Sequence, residues 1–227
     1  MKKGFLITLE GGEGSGKSVQ AKLLEEQLGK WGFSEDRLLV LREPGGTEIS
    51  EQIRTIIKNP KNREMNYLTE LLLFEASRAQ IVGEKIAPFL ENINGVCLLD
   101  RFRDSTDVYQ GVARGLGIDT TTYLNNLVTK GLEADLTLFF DIDPEVGLAR
   151  KSNEGVKCRL DDEELQFHLM IREGYRNLIS KDKTGRWVTV DGAKSIPEVQ
   201  NEVNRIVWGR LFENGLVEGN GRRGERI

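Results

Sequence analysis

The sequence predicts an α/β fold in which five parallel strands form one sheet with helices on both faces. Short, continuous apolar runs, typical of strands buried on both sides, recur five times along the 227 residues, at positions 5–9, 38–41, 96–99, 136–140 and 187–190. Segments with the spacing of amphipathic helices separate these runs. A glycine-rich segment follows the first run directly and leads into the first helical pattern.

The helical patterns alternate with the strands. The first covers residues 19–31, with Leu23, Leu24 and Leu28 on one side. The second follows Gly45-Gly46 and has isoleucines at 49, 53, 56 and 57. A much longer helix is predicted over residues 68–86, and the last one carries apolar residues over 199–211. These patterns place helices against both faces of the sheet.

The chain contains no internal repeat and no long linker. This continuity predicts a single domain over residues 1–213. After the fourth strand, Asp143 is expected to cap a helix whose first residue is Pro144. The polar, glycine-rich segment 214–227 is expected to be a disordered tail.

Composition excludes several classes of protein. With 38% hydrophobic residues and a net charge of −4, the chain is expected to be globular and not to bind nucleic acid. No run of about 18 apolar residues occurs, and Met1-Lys2-Lys3 leads straight into the first strand, so we expect a cytoplasmic protein without a membrane segment. Cys97 and Cys158 form no disulfide or metal-binding pattern, and His168 is expected at the surface or at an interface.

The glycine-rich segment GGEGSGKS has the spacing of a phosphate-binding loop. Glycines allow the backbone N–H groups to wrap a phosphate, and the following helix contributes its N-terminal N–H groups and its dipole. Lys17 can reach the β- and γ-phosphates, and the Ser18 hydroxyl suits Mg²⁺. The expected ligand is therefore Mg²⁺-ATP or a similar triphosphate, held by Gly11, Gly12, Glu13, Gly14, Ser15, Gly16, Lys17 and Ser18. The alternative is a glycine-rich turn with a solvated lysine.

Charged residues also follow the second and third strands. Because ligands of an open parallel sheet bind at the carboxyl ends of its strands, Arg42, Asp100 and Arg101 are expected near the phosphate loop. An aspartate there can hold Mg²⁺ through water, and an arginine can clamp an acceptor phosphate. The positions predict a second, anionic substrate.

Three further segments appear in order after the loop: REPGGT at 42–47, TELLLF with a following Arg-Ala-Gln at 69–80, and DRFRDSTDVYQG at 100–111. With them the chain resembles the thymidylate kinase family from about residue 4 to residue 208. The resemblance implies the five-stranded P-loop kinase fold and transfer of the γ-phosphate of ATP to dTMP, giving dTDP and ADP. It also implies a homodimer, for which the helices near 67–90 and 103–115 are expected to offer apolar surface.

The resemblance assigns residues to the acceptor nucleotide. It places Phe74 on the thymine ring and Arg78 at the edge of the base, and their spacing puts both on one helix face. Thr106 and Gln110 match positions that line the base pocket, and Tyr109 matches an aromatic that crowds the sugar 2′ position. By themselves these residues could equally be a core phenylalanine, a solvated arginine and a buried tyrosine.

It also assigns the groups around the transferred phosphoryl group. Glu13 matches an acidic loop residue near the acceptor, and Arg42 and Arg101 match phosphate-binding arginines. Gly14 stands where some members carry a loop arginine, so a cation is expected from a mobile lid at about 150–160. Lys17, Arg101, Glu13 and Arg159 are thus the expected catalytic residues. Arg150 is the second candidate after Arg159, and Lys151 and Lys157 are the other lid cations.

The chain departs from the family pattern in three places. Ser18-Val19 replaces a common Thr-Thr, Ser77 replaces a frequently acidic or amide residue, and Cys158 stands where an aspartate often precedes the lid arginine. No general base is implied, because the acceptor phosphate is already ionised. Two other hypotheses are a kinase of the same fold with a different nucleoside monophosphate as acceptor, and a nucleotide-dependent switch without enzymatic activity. The absence of an Asn-Lys-x-Asp motif speaks against the switch.

Overall fold

The computed structural model describes residues 3–152 and 163–218. Its sheet contains five parallel strands in the order β2-β3-β1-β4-β5. Each predicted apolar run is a strand, and each strand extends one or two residues further than predicted. The strands are β1 (Phe5–Gly11), β2 (Leu38–Arg42), β3 (Val96–Asp100), β4 (Leu136–Asp141) and β5 (Trp187–Asp191).

The register of the sheet brings the carboxyl ends of its central strands together. Leu9 of β1 lies beside Asp100 of β3, and Asp100 lies beside Arg42 of β2. The residues that follow these positions therefore emerge side by side at one edge of the sheet, as expected for a ligand site in this topology.

Nine α-helices and two π-helical segments are present within residues 3–152 and 163–218. The helices are α1 (Lys17–Lys30), α2 (Glu48–Lys58), α3 (Tyr67–Ile81), α4 (Ala87–Asn92), α5 (Arg103–Thr106), α6 (Ile118–Thr129), α7 (Pro144–Ser152), α8 (Leu165–Lys181) and α9 (Ile196–Glu213). The π-helical segments are Val82–Ile86, which joins α3 to α4, and Asp107–Ala113, which follows α5. The predicted long helix is thus continuous but changes its winding at Val82.

The sheet has a hydrophobic core on each face, as predicted. Ile7 and Leu9 pack on one face against buried residues of α1 and α9, among them Leu24 and Val207. Leu6 points to the other face and belongs to a second core, formed by Ile81, Val82, Ile86, Leu90, Cys97, Leu99, Phe102 and Ala134. Burial on both faces explains why these strands read as continuous apolar runs.

Local predictions at two helices have different outcomes. Asp143 caps α7 as predicted, because its Oδ1 accepts the Glu145 N–H at 3.0 Å. In α2, Ile57 is buried, but Ile49 and Ile56 are about half exposed. The buried face of that helix is therefore narrower than the isoleucine pattern predicts.

Three other predictions are corrected. His168 is only 4% exposed, with Phe167 edge-on to its ring, so it is not a surface residue. The segment 103–115 offers little apolar surface, because residues such as Val108 are fully buried. The tail does not begin at 214, since Val217 is packed into the core beside α9. Residues 219–227 lie outside the described part.

Candidate active site

The phosphate loop joins β1 to α1 and is shaped by glycine. Gly11, Gly14 and Gly16 adopt positive φ angles, whereas Gly12 does not, so only three of the four glycines are required for backbone conformation. At Gly14, with φ of 64°, a Cβ would also collide with the backbone oxygen of Gly147 in α7. A side chain is therefore excluded at the position where some family members carry arginine.

Lys17 lies at the start of α1 and is nearly buried. Its Nζ donates to the Gly11 and Gly12 carbonyl oxygens at 2.9 and 2.6 Å and contacts Ser15 Oγ at 3.1 Å. Burial, with the positive charge of Arg101 nearby, lowers the pKa of Lys17 to about 8. The ammonium group is thus held within the loop that is predicted to wrap the donor phosphates.

Two oxygen ligands suited to Mg²⁺ meet beside the loop. Ser18 Oγ donates to Asp100 Oδ2 at 2.8 Å, which joins the start of α1 to the end of β3. Mg²⁺ prefers such hydroxyl and carboxylate oxygens, and it completes its octahedron with phosphates and water. The two residues fit the predicted metal position.

Arg101 has an uncommon backbone conformation, with φ of 68°. Its Nη2 pairs with Glu13 Oε1 at 2.8 Å, and its guanidinium stacks over the Tyr109 ring at 5.0 Å. Although burial alone would raise it, the positive charges of Arg101, Lys17 and Lys151 lower the pKa of Glu13 to about 2. Glu13 is therefore ionised and counterbalances the cations at this end of the site.

A residue that sequence reasoning missed lies directly behind this group. Glu10 is fully buried and accepts hydrogen bonds from Phe102 N, Ser105 Oγ and Tyr175 Oη at 2.6 to 2.8 Å. Burial, assisted by the negative charge of Asp104, raises the pKa of Glu10 to about 7. The available signal was an acidic residue inside an apolar strand.

Arg78 is the largest fully buried side chain of the described part. Its guanidinium pairs with Glu43 at 2.7 Å and with Glu75 at 2.8 Å. It also donates to Thr106 Oγ1, Asn125 Oδ1 and the Phe102 carbonyl oxygen. Arg78 is therefore not a solvated helix residue, and that alternative interpretation of the sequence is rejected. The two carboxylates balance its charge.

The remaining acceptor residues occupy distinct environments. Phe74 is half-buried on the same side of α3 as Arg78. Tyr109 is 5% exposed, with its hydroxyl 3.4 Å from Glu13 Oε1. Gln110 donates to Glu70 at 2.8 Å, and the exposed Arg42 pairs with Glu51 at 3.3 Å.

One cavity of about 960 Å³ connects these groups. Both predicted metal ligands and loop residues 13–18 line it. Every predicted substrate-binding residue lines it as well, namely Arg42, Phe74, Arg78, Arg101, Thr106, Tyr109 and Gln110. A volume of this size lies at the upper end of the range that is typical of ligand-binding pockets.

Only part of the predicted lid at about 150–160 lies within the described residues. Arg150 donates to the Gly192 and Ala193 carbonyl oxygens at 2.8 and 3.4 Å, whereas Lys151 lines the cavity. Lys157, Cys158 and the first-choice cation, Arg159, lie outside the described residues. Of the lid cations in the described part, Lys151 is therefore the one on the cavity wall.

A phosphate loop, a serine and aspartate beside it, and arginines at a second substrate position define a P-loop kinase that acts on a nucleotide. The family model described as "Thymidylate kinase" matches residues 9–203. The thymidylate kinase of Thermoanaerobacter sp. (strain X514) is 43% identical over 90% of this chain and 98% of its own length. That of Bacillus pumilus (strain SAFR-032) is 42% identical over 94% of this chain and 99% of its own.

A solved structure gives the same result. The crystal structure of thymidylate kinase from Ehrlichia chaffeensis has a TM-score of 0.72 and 28% identity, covering 90% of this chain and 98% of that one. The chain belongs to the thymidylate kinase family, whose members are enzymes that phosphorylate dTMP. The hypothesis of a switch without enzymatic activity is thereby rejected.

Proposed function

We propose that this chain transfers the γ-phosphoryl group of ATP to dTMP inside the 960 Å³ cavity, giving dTDP and ADP. The observation that carries the proposal is the convergence of the phosphate loop and all seven predicted acceptor residues on that one cavity. These residues come from segments far apart in the chain, so their meeting is not a consequence of sequence proximity.

The donor phosphates bind at the loop. Backbone N–H groups of residues 11–18 and the N-terminus of α1 hold them, and Lys17 contacts the β- and γ-phosphates. Ser18 would hold Mg²⁺ directly and Asp100 would hold it through water, and the ion neutralises negative charge on the donor phosphates. The 2.8 Å contact between these two residues supports this arrangement.

The acceptor base binds at α3. Phe74 stacks on thymine, and Arg78 with Thr106 and Gln110 presents hydrogen-bonding groups at its edge. Arg78 suits a neutral base because Glu43 and Glu75 already balance its charge. Tyr109 lies against the sugar and disfavours a 2′-hydroxyl.

Positive charge surrounds the transferred group. Arg42 and Arg101 bind the acceptor phosphate, and Glu13 orients Arg101 through their 2.8 Å ion pair. Arg159 of the predicted lid supplies a further cation and helps to exclude water, with Lys151 as a second source. No residue acts as a base, because the acceptor phosphate is already an anion.

The protein is proposed to act as a cytoplasmic homodimer. Two pairs of exposed apolar residues support the dimer: Leu68 and Leu72 on α3, and Tyr123 and Leu127 on α6. No helix in the described ranges has the length and apolar character needed to cross a membrane. A cytoplasmic location and independence from nucleic acid remain predictions.

A panel of acceptors tests the proposed reaction. ADP release would be measured with ATP, Mg²⁺ and each of dTMP, dUMP, dCMP, AMP and GMP. We expect the highest kcat/KM with dTMP. A higher value with another monophosphate would identify a kinase of the same fold with a different acceptor, and release independent of any acceptor would contradict both.

A further inference from the structure

Glu10 has no part in the reaction described above, although it lies directly behind the reacting groups. It is the penultimate residue of β1, it is fully buried, and it accepts three hydrogen bonds. A buried carboxylate is costly unless its hydrogen bonds compensate for lost solvation. Its three donors therefore indicate what it holds in place.

The first of these donors is the Phe102 N–H, which fixes the backbone next to Arg101. At φ of 68°, Arg101 is in the left-handed region, which residues with a Cβ rarely adopt. The N–H of Arg101 donates to the Leu9 carbonyl oxygen at 3.0 Å, and the next N–H, that of Phe102, donates to Glu10 Oε1 at 2.8 Å. Both peptide groups flanking Arg101 are thus bound to β1, and Glu10 supplies one of the two acceptors.

The second oxygen of Glu10, Oε2, is linked to the side chain of Arg101 through Ser105. Oε2 accepts the hydroxyl hydrogens of Ser105 and Tyr175 at 2.6 and 2.8 Å. Because the Ser105 hydrogen is directed at Glu10, its oxygen faces Arg101 Nη1 as an acceptor, at 3.2 Å. Glu10 therefore orients both the backbone turn and one partner of the guanidinium.

We propose that Glu10 is a positioning residue for phosphoryl transfer, which holds Arg101 where its guanidinium meets the acceptor phosphate. This inference rests on the proposed role of Arg101. Glu10 itself contacts neither nucleotide, since it is covered by Phe102, Ser105 and Tyr175.

A double-mutant cycle tests whether Glu10 acts through Arg101. Glu10→Gln, Arg101→Ala and the double variant would be compared by kcat/KM for dTMP, with the KM for ATP as internal reference. Arg101→Ala should lower kcat/KM on the order of 100-fold, as for loss of one charge-stabilising donor. Glu10→Gln should lower it on the order of 10- to 100-fold by misplacing that donor, with the KM for ATP within about twofold.

The double variant decides the proposal. If Glu10 works through Arg101, the double variant should match Arg101→Ala within about twofold, because coupled residues are not additive. Losses that multiply would overturn the positioning role and leave Glu10 as a structural carboxylate. Wild-type kinetics in Glu10→Gln alone would also overturn it, whereas wild-type kinetics in Arg101→Ala would instead refute the proposed function of Arg101.

Two further variants keep the test decisive if Glu10→Gln does not fold. Ser105→Ala removes the link from Oε2 to Nη1, together with the 3.0 Å contact between Ser105 Oγ and Tyr175 Oη, so the same cycle with Arg101→Ala should again be non-additive. Tyr175→Phe is the matched control, because it removes a donor to Glu10 and the same contact with Ser105 but, among the described residues, no hydrogen bond to Arg101's guanidinium, and it should keep kcat/KM within about threefold. An equal loss in Tyr175→Phe and Ser105→Ala would show that the effect does not pass through Arg101.

Discussion

Charged side chains are distributed differently at the two ends of the cavity. Lys17 and Arg101 lie at one end, with Arg42 exposed at the rim. At the other end the charge of Arg78 is balanced by Glu43 and Glu75. Burial raises the pKa of Glu43 to about 7 in spite of the adjacent guanidinium. In the proposed function, the acceptor is expected to bind with its phosphate toward the loop and its base toward α3.

Replacing Lys17 by Ala should abolish most phosphoryl transfer. The ammonium is held inside the loop, where it is proposed to bind the donor phosphates and to stabilise the charge that develops in the transition state. Binding of dTMP, measured by calorimetry, should be largely unchanged because Lys17 is proposed to serve the donor and not the acceptor. Turnover near the wild-type value would contradict the assignment of the donor site.

Replacing Phe74 by Ala should weaken acceptor binding. Lost stacking on a base costs on the order of 1–3 kcal/mol, which predicts a rise of roughly 5- to 150-fold in the KM for dTMP. The KM for ATP should barely change. Phe212→Ala on α9 is a control, since this phenylalanine is 52% exposed and does not line the cavity; equal effects of both variants would argue against stacking by Phe74.

Replacing Tyr109 by Ala should relax discrimination against ribose. Removal of a steric barrier helps the bulkier substrate more than the one already accommodated. The measurement is the ratio of kcat/KM for the deoxy and ribo monophosphates. Tyr109→Phe keeps the ring and loses only the hydroxyl near Glu13, so it should keep the wild-type ratio. An unchanged ratio in Tyr109→Ala would leave Tyr109 as a core aromatic.

Among the secondary-structure elements, α7 packs directly against the phosphate loop. Gly14 of the loop and Gly147 of α7 approach so closely that a Cβ on either one would collide with the backbone of the other segment. The backbone of α7 is therefore in direct contact with the backbone of the loop. This contact explains in physical terms why the loop carries no arginine at position 14.

Replacing Gly147 by Ala should impair ATP use. Gly147 has no positive φ, so alanine suits the helix and the only cost is its collision with Glu13 O. We expect the KM for ATP to rise on the order of 10-fold through displacement of the loop. Gly209→Ala in α9 is the matched control, because its Cβ would meet nothing within 4 Å. That variant should keep wild-type kinetics and gain about 1 kcal/mol in free energy of unfolding; a similar kinetic loss in both would contradict the role of α7.

At the scale of the whole molecule, apolar surface is concentrated where α3 packs beside α6. Leu68 and Leu72 are each 49% exposed, and Leu127 is 62% exposed. Exposed apolar side chains at neighbouring helical positions are typical of a protein interface. The expected dimer surface thus lies on α3 and α6, not on the buried segment 103–115.

The assembly prediction can be checked by sedimentation. The wild-type chain should be a dimer at micromolar concentration, and Leu72→Asp combined with Leu127→Asp should be a monomer, because burying two unpaired carboxylates is unfavourable. Phe212→Asp, on α9, should remain a dimer. A monomeric wild type would refute the interface, and a dimeric double variant would place it elsewhere.

The amino-acid sequence alone determined the features that depend on neighbouring residues. Apolar runs such as 96–99 are strands because burial on both sheet faces requires continuous hydrophobicity. Lys17 and the glycines of the loop were identified because phosphate binding needs their spacing within eight residues. The family motifs then pointed to Phe74, Arg78 and Tyr109, all of which line one cavity in the structure.

Only the tertiary structure decided the features that depend on contacts between distant segments. Glu10 meets Ser105 and Tyr175 across 95 and 165 residues of chain, so nothing near it in sequence reveals its partners. Gly147 appears an ordinary helical residue until the loop is packed against it. Burial is likewise a property of the folded chain, which is why Arg78 proved to be enclosed by carboxylates instead of solvated. It is also why exposed apolar side chains proved to lie on α6, beside those of α3, and not on the segment 103–115.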